Sequence, residues 1–171
     1  MSIVKKISSC YGNARFFNLN EFDLKGSMAI SKSEYPVHPR LAVGAIIFHE
    51  DRVLLVRRGN APSKGQWSIP GGKVKLGETL REAAEREIQE ETGICIQAGE
   101  TVFTFEHIEH NEHGEVVYHY VVIDLEAEYI SGKIQAADDA MDARWISAQN
   151  LERLNVNATT RNLLKKIYNF G

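Results

Sequence analysis

Three glutamates in one short stretch, Glu87, Glu90 and Glu91, are the residues of this 171-residue chain whose type and spacing most directly suggest chemistry. Thr79 and Glu82 form a capping-box pair, so the spacing predicts a helix beginning near Thr79, and Gly93 is a natural stop. At a rotation of about 100° per residue with Leu80 at zero, Ala84 falls near 40°, Ala83 near 300° and Ile88 near 80°. Glu87, Glu91 and Glu90 fall at about 340°, 20° and 280°, in line with that apolar stripe. Arg81, Glu82, Glu85, Arg86 and Gln89 take the opposite, solvated side.

Unpaired carboxylates aimed with a core stripe are costly to bury, and like charges at i,i+3 and i,i+4 repel one another. An acidic cluster is ordinarily a solvated helix face, but here that face is already made of other residues. Something cationic should therefore sit against the three groups. Hard divalent cations prefer carboxylate oxygen, and magnesium combines few protein ligands with substrate phosphate. The angles alone thus point to metal-assisted phosphate chemistry.

Such a helix has to be held by something, and the flanking sequence supplies strands. Leu41 to Phe48 and Val53 to Val56 are apolar runs around a polar turn at 49–52 and read as a hairpin. A loop with Gly59, Asn60, Pro62, Ser63 and Gly65 leads to Trp67, then to Pro70, Gly71 and Gly72. Past Gly93, strands are expected over about 94–108 and 116–126, separated by a turn at 111–114. Alternation of Val117, His119, Val121 and Ile123 with Tyr118, Tyr120 and Val122 suits a strand covered on both faces. A short strand follows at 143–146, then helices over about 148–154 and 158–169, the latter with Leu163, Leu164, Ile167 and Tyr168 on one stripe. The sum is an α/β or α+β sandwich with a mixed central sheet, spanning 39–171. Residues 1–38 have weak periodicity and read as a partly ordered N-terminal extension.

Composition narrows the partners. A net charge of −3 gives no basic field to hold long nucleic acid. Cys10 and Cys95 form no CxxC pair, which argues against a disulfide framework and for a reducing, cytoplasmic setting. The apolar run from Leu41 is too short to span a bilayer, and Lys5 and Lys6 interrupt any signal-peptide core. The first forty residues lean basic and carry serines, as a transit segment would, but Glu21, Asp23 and Glu34 weigh against that reading.

Gly72, Glu78 and the run Arg86, Glu87, Ile88, Gln89, Glu90, Glu91, Thr92, Gly93, Ile94 match the Nudix box at every defined position. The chain therefore resembles the Nudix hydrolases. The similarity extends through the lead-in from Gly65 to Gly72, the strand from Val53 to Arg58 and a late aromatic strand at Trp145, covering about 40 to 168. The resemblance implies an α/β/α sandwich that hydrolyses a diphosphate linkage in a small nucleotide-type substrate with Mg2+, or Mn2+ in its place. It implies that Glu87, Glu90, Glu91 and the carbonyl of Gly71 bind the metals, and that Arg86 orients the carboxylates. Arg86 also reads as a surface partner of Glu82 or Glu90. Glu78 would support the loop-to-helix turn, with Gly72 and Gly93 as structural positions of the motif. The general base is Glu90 or Asp139, a late acidic residue that MutT-type enzymes place on a loop; Asp138 and Asp139 read equally well as a cap or plain loop. A homodimer is compatible with the family.

Arg57 and Arg58 end a strand near the box and suit substrate phosphate, but alternation lets at most one face the site. Trp67, before a turn, reads as loop packing rather than base stacking. His107, His110, His113 and His119 lack a metal-ligand spacing and read as loop and sheet residues. Glu106, Glu109, His110, Glu112, His113 and Glu115 make the 106–118 hairpin rich in acceptors, which suits ribose hydroxyls better than a third phosphate. The favoured substrate is accordingly ADP-ribose, cleaved to AMP and ribose 5-phosphate. The alternatives are a MutT-like nucleoside triphosphate pyrophosphohydrolase and a non-catalytic nucleotide sensor; sensors usually lose box glutamates, and this chain keeps all of them. RNA decapping would call for a basic groove.

Overall fold

The hairpin forms first in chain order and sets the frame. In the computed structural model, which describes residues 36–171, β1 (Arg40–His49) turns into β2 (Arg52–Arg58) through Glu50 and Asp51. Both turn residues have positive φ, 50° and 56°, as a two-residue turn matched to strand twist requires. β1 and β2 stay paired only beside the turn, at Phe48–Val53 and His49–Arg52, and then separate. Their free edges are taken by β4 (Gly71–Lys73), antiparallel to the start of β1, and by β3 (Trp67–Ser68), antiparallel to the end of β2. The result is a fork in the sheet with the 67–73 segment in its mouth.

On its other edge β1 runs parallel to β6 (Val116–Gly132), which pairs antiparallel with β5 (Ile94–His110). β7 (Ala140–Ser147) adds antiparallel to β2, completing a seven-stranded mixed sheet. α1 (Leu80–Thr92) lies on one face: its Ala83, Ala84 and Ile88 pack on Val43, Ala45, Ile47 and Leu54. α2 (Ala148–Leu151) and α3 (Ala158–Tyr168) serve the other face, where Leu151, Leu163 and Leu164 meet Ile46, Val53, Leu55 and Trp67. Trp67 is thus a packing residue, as expected. The α/β/α arrangement follows the sequence expectation.

Three expectations are corrected. β6 continues to Gly132 rather than ending near 126, because its far half pairs with the start of β5 from Ile94 to Ala98. α2 is one turn long, not seven residues. Ile167 is 44 % exposed and leaves the stripe formed by Leu163 and Leu164. The expected extension lies outside the described residues apart from 36–38. No helix among the described residues is long and apolar enough to cross a membrane.

Ile88 is fully buried between α1 and the sheet, so Ile88→Ala should lower the unfolding free energy by about 2–5 kcal/mol. Urea denaturation followed by circular dichroism measures this; a loss below 1 kcal/mol would show that the helix is not held by this contact.

Candidate active site

The capping box places the helix. Thr79 accepts from the Glu82 amide, and the Glu82 carboxylate accepts from the Thr79 amide at 2.8 Å. At the other end Gly93 adopts φ 73° and donates to Gln89. With both ends set, Glu87, Glu90 and Glu91 face the mouth of the fork. Gly71 has φ 152°, and a β-carbon there would collide with the Val43 carbonyl; one at Gly72 would collide with the Glu87 carboxylate. The two glycines thus let the loop pass between β1 and the helix carboxylates. The Gly71 amide donates to Glu91 Oε2 at 3.0 Å.

Arg86 binds three carboxylates. It donates to Glu78 from Nε (2.6 Å) and Nη2 (2.8 Å), and from Nη1 to Glu87 (2.7 Å) and Glu90 (3.0 Å). A further bond from Nη2 reaches the Lys73 carbonyl at 3.1 Å. The fork-like pairing with Arg86, helped by the Lys75 amide, holds the Glu78 carboxyl down at about 2. The same carboxylates raise Arg86 further above its ordinary range. The helical wheel had assigned Arg86 to solvent. Glu78, folded back from the preceding loop, draws it into the site instead.

Glu91 is 4 % exposed and is hydrogen-bonded to Asp139. Burial first, and then the Asp139 contact and charge, push its carboxyl up to about 9, against the Gly71 amide. Two backbone bonds bring Asp139 there: the Gln135 amide to Thr92 (2.8 Å) and the Ala137 amide to Glu91 (3.0 Å) dock the loop before β7 on the end of α1. The Gly59 amide then fixes the Asp139 carbonyl at 2.8 Å.

These groups border a cavity of about 960 Å³. Glu87, Glu90, Asp138 and Asp139 line it, as do Gly71, Gly72, Lys73 and Lys75. Glu90 sits at the rim, 44 % exposed, and so leaves the apolar stripe on which the wheel had put it. Of the two arginines, Arg58 lines the cavity while donating to Pro62; Arg57 is exposed and donates to Gly65 outside that lining. Of the pair, only Arg58 is on the cavity lining. Among the hairpin groups, Glu106, Glu109, His110, Glu112, His113 and Glu115 do not line the cavity; their side of the hairpin, or its tip, is turned to solvent. His107 alone of residues 106–118 lines it, together with Phe105, Tyr120 and Val122 from the same two strands. Sequence reasoning missed Asp124, Ser68 and Asn157 to Thr160, which complete the walls. Asp124 was detectable as a lone carboxylate in the apolar run from Val121 to Leu125; Ser68 carried no comparable signal.

Do the residues suit a divalent cation? Among the described residues no three His, Cys, Asp or Glu side chains converge on one point. Arg86 holds Glu87 and Glu90, and a hydrogen bond holds Glu91 to Asp139. The donor set nevertheless fits: the buried Glu91 carboxyl, in contact with the half-buried Asp139 at the cavity wall, calls for either a proton or a cation between the two. Glu87 and Glu90, both on the cavity lining, supply the further carboxylate oxygens.

The NUDIX domain family matches residues 38–167. An ADP-ribose pyrophosphatase of Methanocaldococcus jannaschii is 33% identical over 148 residues, covering 83% of this chain and 85% of that protein. The crystal structure of a MutT NUDIX hydrolase from Burkholderia pseudomallei superposes with a TM-score of 0.65 at 31% identity, over 76% of this chain and 98% of that one. A bifunctional NMN adenylyltransferase/ADP ribose pyrophosphatase from Francisella tularensis, complexed with AMP and a Mn ion, has a TM-score of 0.58 at 25% identity, over 77% of this chain and 42% of that one. The box geometry and these likenesses agree, and the chain belongs to the Nudix family of hydrolases.

Proposed function

We propose that this Nudix hydrolase cleaves ADP-ribose to AMP and ribose 5-phosphate with Mg2+, or Mn2+ in its place. The observation that carries the reading is the row of carboxylates on α1, with Asp139 beside them, opening onto a cavity roomy enough for a two-part nucleotide. The Methanocaldococcus relative named for this activity supports the substrate. The acceptor-rich hairpin no longer does, since its glutamates lie away from the cavity.

Glu87, Glu90, Glu91, the Gly71 carbonyl and Asp139 would hold the metal, with proton release from Glu91 accompanying binding. When bound, divalent cations withdraw charge from the diphosphate and acidify a water. Glu90 is the general base in this reading, because it is the half-exposed carboxylate at the cavity rim that water reaches. It takes the proton as the water oxygen bonds to one phosphorus. The bond from that phosphorus to the bridging oxygen breaks, and the electron pair leaves with the other phosphate. Arg86 holds Glu87 and Glu90 in register with the loop, while Arg58 and Lys73 offer charge to the phosphates.

Glu90→Gln and Glu91→Gln should each lower kcat by two or more orders of magnitude while circular dichroism stays that of the wild type. Near-wild-type turnover in both would remove this face of the helix from the chemistry.

In competition assays ADP-ribose should show a higher kcat/KM than any nucleoside triphosphate, with AMP and ribose 5-phosphate as products by chromatography. A triphosphate favoured tenfold or more, with release of pyrophosphate, would replace this substrate by the MutT-like alternative.

A further inference from the structure

Asp124 is the buried ionisable group that the hydrolytic machinery leaves unused. It is 4 % exposed, lies midway along β6 and lines the cavity. Among the described residues its carboxyl has no hydrogen-bond or ion-pair partner, and burial alone raises it to about 7. Interiors pair their buried polar groups, and an unpaired one is costly to keep. The partner should then come from whatever the cavity receives.

The fold makes room for this carboxyl. Gly44 faces Asp124 across the β1–β6 ladder, and a β-carbon at Gly44 would collide with Asp124 Oδ1. On its other side Gly44 pairs with Gly71. Gly71, Gly44 and Asp124 thus form a row across three adjacent strands, which puts Asp124 two strand spacings, about 10 Å, from the loop beside the catalytic carboxylates. That is roughly the span of a sugar between a diphosphate and what the sugar carries. A phosphate would be repelled by Asp124. Phe105, Tyr120, Val122 and Ile69 line the same cavity, flat or apolar surfaces that suit the faces of a heterocyclic ring better than a polyol.

We propose that Asp124 is a specificity-determining residue whose carboxyl accepts a hydrogen bond from the exocyclic amino group of the substrate's nucleobase. The inference rests on reading the cavity as a nucleotide site, and it is independent of which nucleotide diphosphate is cleaved. A site built to hydrogen-bond a ligand group discriminates strongly against an analogue lacking it.

The test is calorimetric titration of wild type and Asp124→Ala with AMP, GMP and IMP, which share sugar and phosphate but differ in the amino group. Wild type should bind AMP or GMP at least tenfold more tightly than IMP. Asp124→Ala should bring the difference within threefold by losing affinity for the amino-bearing nucleotide, with IMP affinity little changed. Asp124→Asn, which keeps a carbonyl acceptor, should retain part of the preference. Both variants should melt no lower than wild type at pH 8, because each removes a buried charge. Absence of any amino preference in wild type, or equal weakening of all three nucleotides by Asp124→Ala, would overturn the proposal; the latter would assign Asp124 to the shared ribose. Failure to turn over ADP-ribose with the amino preference intact would refute the substrate assignment and leave this role standing.

Discussion

Everything at this site depends on how three glutamates are kept together on one helix. Like charges at helical spacing oppose each other, and the structure answers with a single guanidinium. Arg86 spans Glu78 from the loop and Glu87 and Glu90 from its own helix. Arginine suits this because its planar donor fork satisfies a carboxylate in two places and still has donors left. The fourth carboxylate, Glu91, is beyond its reach and is handled differently, by burial, a backbone amide and a contact to Asp139. One cluster therefore holds two solutions to the same electrostatic problem. The Arg86 side holds the Glu78 carboxyl well below its ordinary range, while burial and Asp139 push the Glu91 carboxyl well above it.

The backbone has a matching division. The two-residue turn between β1 and β2 binds the strands for two pairs and then lets them part. Without that separation the 67–73 segment would have no edge to join, and Gly71 would not reach Glu91. Ala45 donates to Pro70 at the same place, tying the loop to the centre of β1. A rigid sheet thus presents a short irregular segment to a rigid helix, the combination that lets backbone groups act in a site.

Much of this was readable beforehand because it is local. The capping box at Thr79, the stop at Gly93 and the carboxylate angles depend on neighbours a few residues apart. The hairpin and the packing role of Trp67 followed from apolar runs around turns. What escaped was set by distant parts of the chain. Arg86 was placed in solvent because a helical wheel has no knowledge of Glu78 folding over it. Glu90 was placed too deep because the fork is open on its side. The hairpin glutamates were given to the substrate because strand alternation was not carried far enough to see which face the cavity takes. Asp124 matters through Gly44 and Gly71, two residues far away in sequence that lie beside it only once β1 is flanked by both β4 and β6.

Gly44 has an evolutionary corollary. Its missing side chain is the space that Asp124 occupies, so the two positions cannot drift independently. A larger residue at 44 would force the aspartate out of its place, whereas a small residue at 124 would leave a void that alanine at 44 could fill. Substitutions at the pair are thus expected to be epistatic for folding: a side chain at 44 is harmful beside the aspartate and tolerated once 124 is small. Among homologues, a carboxylate at the second position should be found with glycine at the first, whereas glycine at the first does not require the carboxylate.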